Sequence, residues 1–199
     1  MTALSGGIEV EDIRQQLQKQ SKKWLVDRLV ELSMLDSANA DQLVLSLVAE
    51  DADEQTIVAT FRRQVDKAAA EIESHGGNSE VLTAAFDSAA DALTIVLSKD
   101  LPNAVIKISE YALVKLDSVF ELQDECELEH LLNAFRHLHL EACYRLKPEP
   151  RTLGARLAEL SAQTEWGFFD GPPDGYVELI GQAGLSAFLA MSRANGNRC

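Results

Sequence analysis

The stretch QDECELEHLLNAFRHLHLEACYRL, Gln123–Leu146, decides the fold. Within it Leu128, Leu131, Leu132, Phe135, Leu138, Ala142 and Leu146 recur at steps of three and four, the spacing that gathers side chains on one face of an α-helix. A strand would scatter the same residues over both of its faces, so the pattern excludes one. Pro148 keeps the helix from running on, and Pro150 suits the first turn of a shorter helix through Leu153, Leu157 and Leu160.

Outward from this segment the same period recurs. Towards the N-terminus it predicts helices over Pro102–Phe120, Ser79–Leu97 and Glu54–Glu73, the last with Ile57, Val58, Phe61, Val65, Ala68, Ala69 and Ile72 as its apolar face. His75-Gly76-Gly77-Asn78 supplies the stop. Before these come Asp41–Ala49, with Leu43, Leu47 and Val48 together, and a hairpin made of Glu11–Lys19 and a helix that Ser21 can cap, carrying Leu25, Leu29 and Leu32. Trp24, at the start of that second helix, is expected in a core contact with Leu47 or Ile57. Towards the C-terminus a loop holding Trp166, Gly167, Phe168, Phe169, Gly171, Pro172 and Pro173 leads to Asp174–Ile180 and Gly184–Arg193, with Gly181 and Gly184 marking their junction. The class is all-α. About ten antiparallel helices with short connections give hairpins stacked as a short solenoid-like array or a multi-helix bundle. Residues 11–194 read as one helical domain, 11–50 its N-terminal hairpin region, between flexible ends at 1–10 and 195–199.

A chain of 199 residues with 46% hydrophobic and 25% charged residues can bury a real core. No apolar run approaches the roughly 18 residues of a membrane helix, and Met1–Val10 lacks the basic start and apolar stretch of a signal peptide, so the chain reads as cytoplasmic. Its 32 acidic and 18 basic residues leave a net charge of -14, which repels a phosphate backbone and argues against direct nucleic-acid binding. The same charge would select basic protein partners. Cys126, Cys143 and Cys199, odd in number and widely spaced, read as free thiols.

Cys126, His130, His137, His139 and Cys143 are the residue types that bind zinc, but the helical period divides them. His139 and Cys143 fall at the edge of the apolar face and are expected to be buried and structural, His139 with a hydrogen-bond partner on an adjacent helix. Cys126, His130 and His137 lie on the other side, where His130 and His137 stand about 10 Å apart along the axis, so a neighbouring helix would have to complete any metal site. No Gly-x-Ser-x-Gly elbow, phosphate loop or His-Glu-x-x-His motif is present, and no cofactor is implied. Trp166, Phe168 and Phe169 offer either an aromatic partner-binding patch or a loop folded back over the last groove. Gly184, Leu185, Phe188 and Leu189 form a last amphipathic helix through which the chain could pair with a second copy.

Beyond composition, Leu131–Arg193 carries a pattern: His139-Leu140-Glu141-Ala142-Cys143, Pro148 and Pro150 followed by Leu153 and Leu157, then Tyr176, Leu179, Gly181, Gly184 and Leu185. With Ser109-Glu110-Tyr111-Ala112-Leu113 and the leucine-rich Ser21–Leu47 upstream, it resembles the helical region of bacterial SWIM zinc-finger-family proteins and a related family of uncharacterised helical domains. The resemblance implies an interaction or scaffold role. It does not bring the zinc finger, since no two cysteines here stand in a Cys-x-Cys pair, and Leu122–Glu127 lacks the glycine of the family's Asp-rich turn. The expectation is therefore a non-enzymatic helical adaptor. Its rivals are a metal-assisted hydrolase built on His130 and His137, and a regulatory partner of a separately encoded zinc-finger protein.

Overall fold

The computed structural model describes residues 10–35, 37–75, 79–119, 125–164 and 174–196. All of the secondary structure among them is helical: α1 (Val10–Gln18), α2 (Lys22–Leu35), α3 (Ser37–Asp51), α4 (Glu54–His75), α5 (Ser79–Ser98), α6 (Pro102–Val119), α7 (Glu125–Leu146), α8 (Pro150–Gln163), a 3-10 turn at Asp174–Tyr176, and α9 (Val177–Gly196). Where the sequence reads as one helical domain, the chain divides into two compact units, Met1–Ala40 and Asp41–Cys199. The stop at 76–78 and the aromatic loop with Trp166, Phe168 and Phe169 lie outside the described residues, as do Cys199 and the side chain of Cys126.

In the first unit Ser21 caps α2, its hydroxyl accepting from Trp24 N–H at 3.2 Å. Every large apolar side chain described there, save half-buried Leu25, stands between 41% and 49% exposed, from Ile13 and Leu17 on α1 to Leu32 on α2. The expected hairpin therefore has no described core, and Trp24, expected to be packed, is exposed. The ends expected to be flexible, 1–10 and 195–199, lie for the most part outside the described residues, which start with α1 at Val10 and finish with α9 at Gly196.

The second unit is built around α4 to α7. Helix α4 packs against α5 and α6, α7 packs against the same two, and α8 and α9 form a further close pair. Ile57, Phe61, Phe86, Leu93, Ile108, Leu113, Leu116 and Phe135 are completely buried between them. Phe86 and Phe135 meet edge-to-face, ring centroids 6.3 Å apart. On α3 the buried residues are Leu45 and Ala49, while Leu47, expected on the inner face, is 57% exposed. Caps sharpen the helix starts: Asp53 accepts from Thr56 N–H at 2.9 Å at the head of α4, and Glu149 accepts from the backbone of Arg151 and Thr152 at 3.0 and 2.7 Å at the head of α8. Those bonds hold both carboxyls below the usual carboxylate range.

Helix α9 comprises two helical runs that meet at Gly181, whose φ of 51° and ψ of -163° are not helical, at the junction the sequence marks with Gly181 and Gly184. Gly184 lies where α9 crosses α8. A Cβ on Gly154 would stand 2.1 Å from the Gly184 carbonyl oxygen, and one on Gly184 would stand 2.4 Å from the Pro150 oxygen. Backbone therefore meets backbone at this crossing. Phe188, expected on a free pairing face, is instead in the core, and Leu185 is half-buried against it. Their burial follows from α8 covering that face of α9, which leaves Leu189 as the exposed large residue of the expected patch.

Candidate functional site

Two places concentrate chemistry. The first is sealed in the core, where α6, α7, α8 and the 3-10 turn converge on His139. The imidazole has no solvent exposure. Its Nδ1 lies 2.5 Å from Tyr176 Oη, and its Nε2 faces Glu110 Oε1 at 3.6 Å. The Tyr176 hydroxyl also reaches the Arg136 carbonyl oxygen at 3.5 Å, and the buried Nε2 makes no hydrogen bond among the described residues, so which of Nδ1 and Oη donates follows the ring's tautomer. Glu110 is gripped from the other side by Arg156, whose Nε lies 3.1 Å from both oxygens and whose Nη2 lies 2.9 Å from Oε2. Arg156 reaches Glu159 as well, at 2.9 Å. Burial pushes the Glu110 carboxyl up, but the facing imidazole and guanidinium together outweigh it and hold the group below its ordinary value.

Cys143, one turn along α7, brings its Sγ to 3.8 Å from His139 Nδ1. Thiol, imidazole and carboxylate are the parts of a cysteine hydrolase, and the arrangement departs from one in two respects. Burial first, then the Glu110 charge, pushes the thiol up to about 12, so it stays protonated at neutral pH, and it has no solvent exposure. The imidazole nitrogen on its side is already engaged by Tyr176. Burial also drives the Tyr176 hydroxyl well above the phenol range, which keeps it a neutral donor. This cluster is chemically a latch: directed bonds that fix α7, α8 and the start of α9 onto α6. Sequence reasoning reached His139 and Cys143 but neither Glu110 nor Arg156 as members of one group.

On the opposite side of α7, His130 and His137 are exposed, and His130 Nε2 lies 3.2 Å from Asp87 on α5. No three His, Cys, Asp or Glu side chains among the described residues converge in a way that would hold a metal ion. From α5, beside α7, the contact made to His130 among the described residues is that of Asp87.

The second place is an open groove along α4 and α6, with a volume of about 760 Å³. Val58 and Ala59 line it together with Glu54, Arg62, Arg63, Asp66 and Lys107. Its carboxylates are occupied. Glu54 accepts from Lys107 and Asn103 at 2.9 Å, and Asp66 accepts from the Tyr111 hydroxyl and pairs with Lys115 at 3.2 Å. The Tyr111 bond, then Lys115, lower the Asp66 carboxyl, whereas burial and that same bond push the phenol up to about 12. Arg62 lies 5.0 Å over the Tyr111 ring, a cation–π stack, and Arg63 makes no ion pair among the described residues. The groove thus presents two guanidiniums beside a short apolar strip, on two helices whose other faces are in the core. None of the residues predicted as a site lies in it.

No described helix is long and apolar enough to cross a membrane. No family model matches the chain, and neither the curated proteins nor the solved structures contain a match to it.

Proposed function

We propose that this protein is a non-enzymatic helical adaptor that binds a protein segment along the α4–α6 groove. The observation that carries the reading is the groove itself: an apolar strip at Val58 and Ala59 flanked by two guanidiniums, Arg62 stacked over Tyr111 and Arg63 with no ion pair among the described residues. Such a surface suits a short peptide carrying an acidic residue beside an aliphatic one, since guanidinium takes carboxylate in a bidentate fork. The pairing of α4 with α5 and α6, and of α7 with α5 and α6, supports the architecture of stacked helical hairpins, whose outer helix faces commonly serve as binding surfaces. The resemblance to the helical region of SWIM zinc-finger-family proteins points the same way. Outside the groove the acidic surface favours a partner with basic flanks, and raises association rate more than affinity.

Affinity capture from host lysate, with the wild type and an Arg62→Glu/Arg63→Glu variant side by side, tests this. A protein recovered reproducibly by the wild type and depleted by about tenfold or more with the variant is the expected result. Recovery indifferent to the substitution, or no reproducible protein at all, would remove the proposal.

A further inference from the structure

The α4–α6 groove has dimensions that narrow the form of its ligand. Along α4 it runs from Glu54 to Asp66, about 18 Å of helix, and a side-chain tie to α6 bounds each end: Glu54 with Lys107 and Asn103, Asp66 with Tyr111 and Lys115. A volume of about 760 Å³ spread over that length leaves a cross-section of about 40 Å². An α-helix with its side chains fills roughly 80 to 110 Å² in section, whereas an extended strand claims only about 50 Å². Resting on the adaptor reading of this groove, we propose that its ligand is an extended segment of a partner protein in which an aliphatic side chain and a carboxylate stand two residues apart, the carboxylate taken by Arg62 and Arg63.

The register of α4 supplies the spacing. Successive turns of its groove face carry Glu54 and Gln55, then Val58 and Ala59, then Arg62 and Arg63, so the apolar strip and the guanidiniums lie one turn, about 6 Å, apart. In an extended chain, residues two apart lie on one side at about 6.7 Å, while adjacent residues and residues three apart point to opposite faces. Charge selects the acid. Arg62 and Arg63 are exposed, and neither is ion-paired among the described residues. Asp66, one turn further along α4, is near enough to feel the Arg62 charge, yet its carboxylate is held by the Tyr111 hydroxyl and by Lys115 at 3.2 Å, while Arg62 stacks over the Tyr111 ring. Tyr111 thereby keeps the internal acid from closing on Arg62 and leaves the guanidinium N–H edges for the forked bonds that a ligand carboxylate accepts. A chain of net charge -14 repels a doubly charged phosphate more than a singly charged carboxylate, which favours the latter.

The test is NMR titration of the full isotope-labelled chain with end-blocked peptides, Gly-Leu-Ser-Glu-Gly and the reverse order Gly-Glu-Ser-Leu-Gly, which cover the two directions along α4. The expected result is saturable shifts at the backbone amides of Val58–Arg63 with at least one of the two. Binding should weaken by about tenfold or more when glutamine replaces the glutamate, when leucine and glutamate are made adjacent, or when Arg62→Gln and Arg63→Gln are introduced together. The same spectra show that the doubly substituted chain stays folded. Saturation by neither peptide overturns the inference, as does equal binding of the adjacent-residue peptide. Tighter binding of inorganic phosphate, or of an alanine-rich helical peptide with leucine and glutamate four apart, also overturns it. Failure of the peptides while lysate capture still depends on Arg62 and Arg63 retires the spacing rule alone, whereas capture indifferent to both arginines removes the adaptor reading with it.

Discussion

His139 shows how one side chain ties four elements together, and what its loss would do. The ring fills a fully buried position, engages Tyr176 and faces Glu110. Replacing it with alanine leaves a cavity and takes away both the short bond to the Tyr176 hydroxyl and the ring that faces Glu110. His139→Ala should therefore cost roughly 3 kcal/mol of stability, whereas exposed His137→Ala should stay within about 0.5 kcal/mol, both read from urea unfolding. Glu110 adds a pH dependence of definite sign. Its folded carboxyl titrates below the 4.5 of a free glutamate, so between those two values the unfolded chain binds the extra proton. The contribution is fully present above about pH 5 and is lost as the pH falls through the lowered value. Unfolding free energy measured down this range should fall less steeply in Glu110→Gln, which has no proton to gain at that position. The helical period places His139 inside and His137 outside because that distinction needs only one helix. It cannot find Glu110 or Arg156, since their meeting depends on where α8 lies across α6.

Among the elements, the α8–α9 pair is the one whose geometry depends on missing atoms. At the crossing the obstacle to a Cβ on Gly154 is the Gly184 carbonyl, which is backbone and cannot rotate away. Gly154→Ala should force the helices apart and cost about 3 kcal/mol, beyond the usual range for a surface substitution. At Gly181 the space around a Cβ is open and only the positive φ resists, so Gly181→Ala should cost about 1 kcal/mol. Thermal unfolding of the two variants separates crowding from backbone strain. Helix positions were legible from the sequence to within a few residues because leucine spacing and proline mark them directly. Faces were less so on α3, where Leu43, Val44, Leu45, Leu47, Val48 and Ala49 leave only Ser46 polar, and a run that is apolar all round does not say which side turns inward. Gly154 passed unnoticed for a related reason: inside an amphipathic pattern a glycine looks like a tolerated interruption until its neighbour is known.

For the molecule, charge and burial are unevenly shared. The second unit holds the core and nearly all of the net negative charge, so its folded form works against self-repulsion that dissolved salt relieves. Raising sodium chloride from low to moderate concentration should lift its melting temperature by a few degrees; a flat response would mean that the pairs Lys99–Glu50, Lys107–Glu54 and Lys115–Asp66 already balance the field locally. All-helical class was readable because every strong pattern along the chain has one period. The α4–α6 groove was not, because a groove is a relation between two helices and leaves no signature in either.

The latch on Glu110 also orders events in time. Its bonds close loops of 46 residues to Arg156 and 37 residues between His139 and Tyr176, so they form only after α6, α7, α8 and α9 are already near their final places. Interactions made that late are absent from the transition state and act on the rate of escape from the folded form. Arg156→Met should leave the refolding limb of a chevron plot almost where it is and raise the unfolding limb, making the latch a determinant of how long the protein lasts once folded.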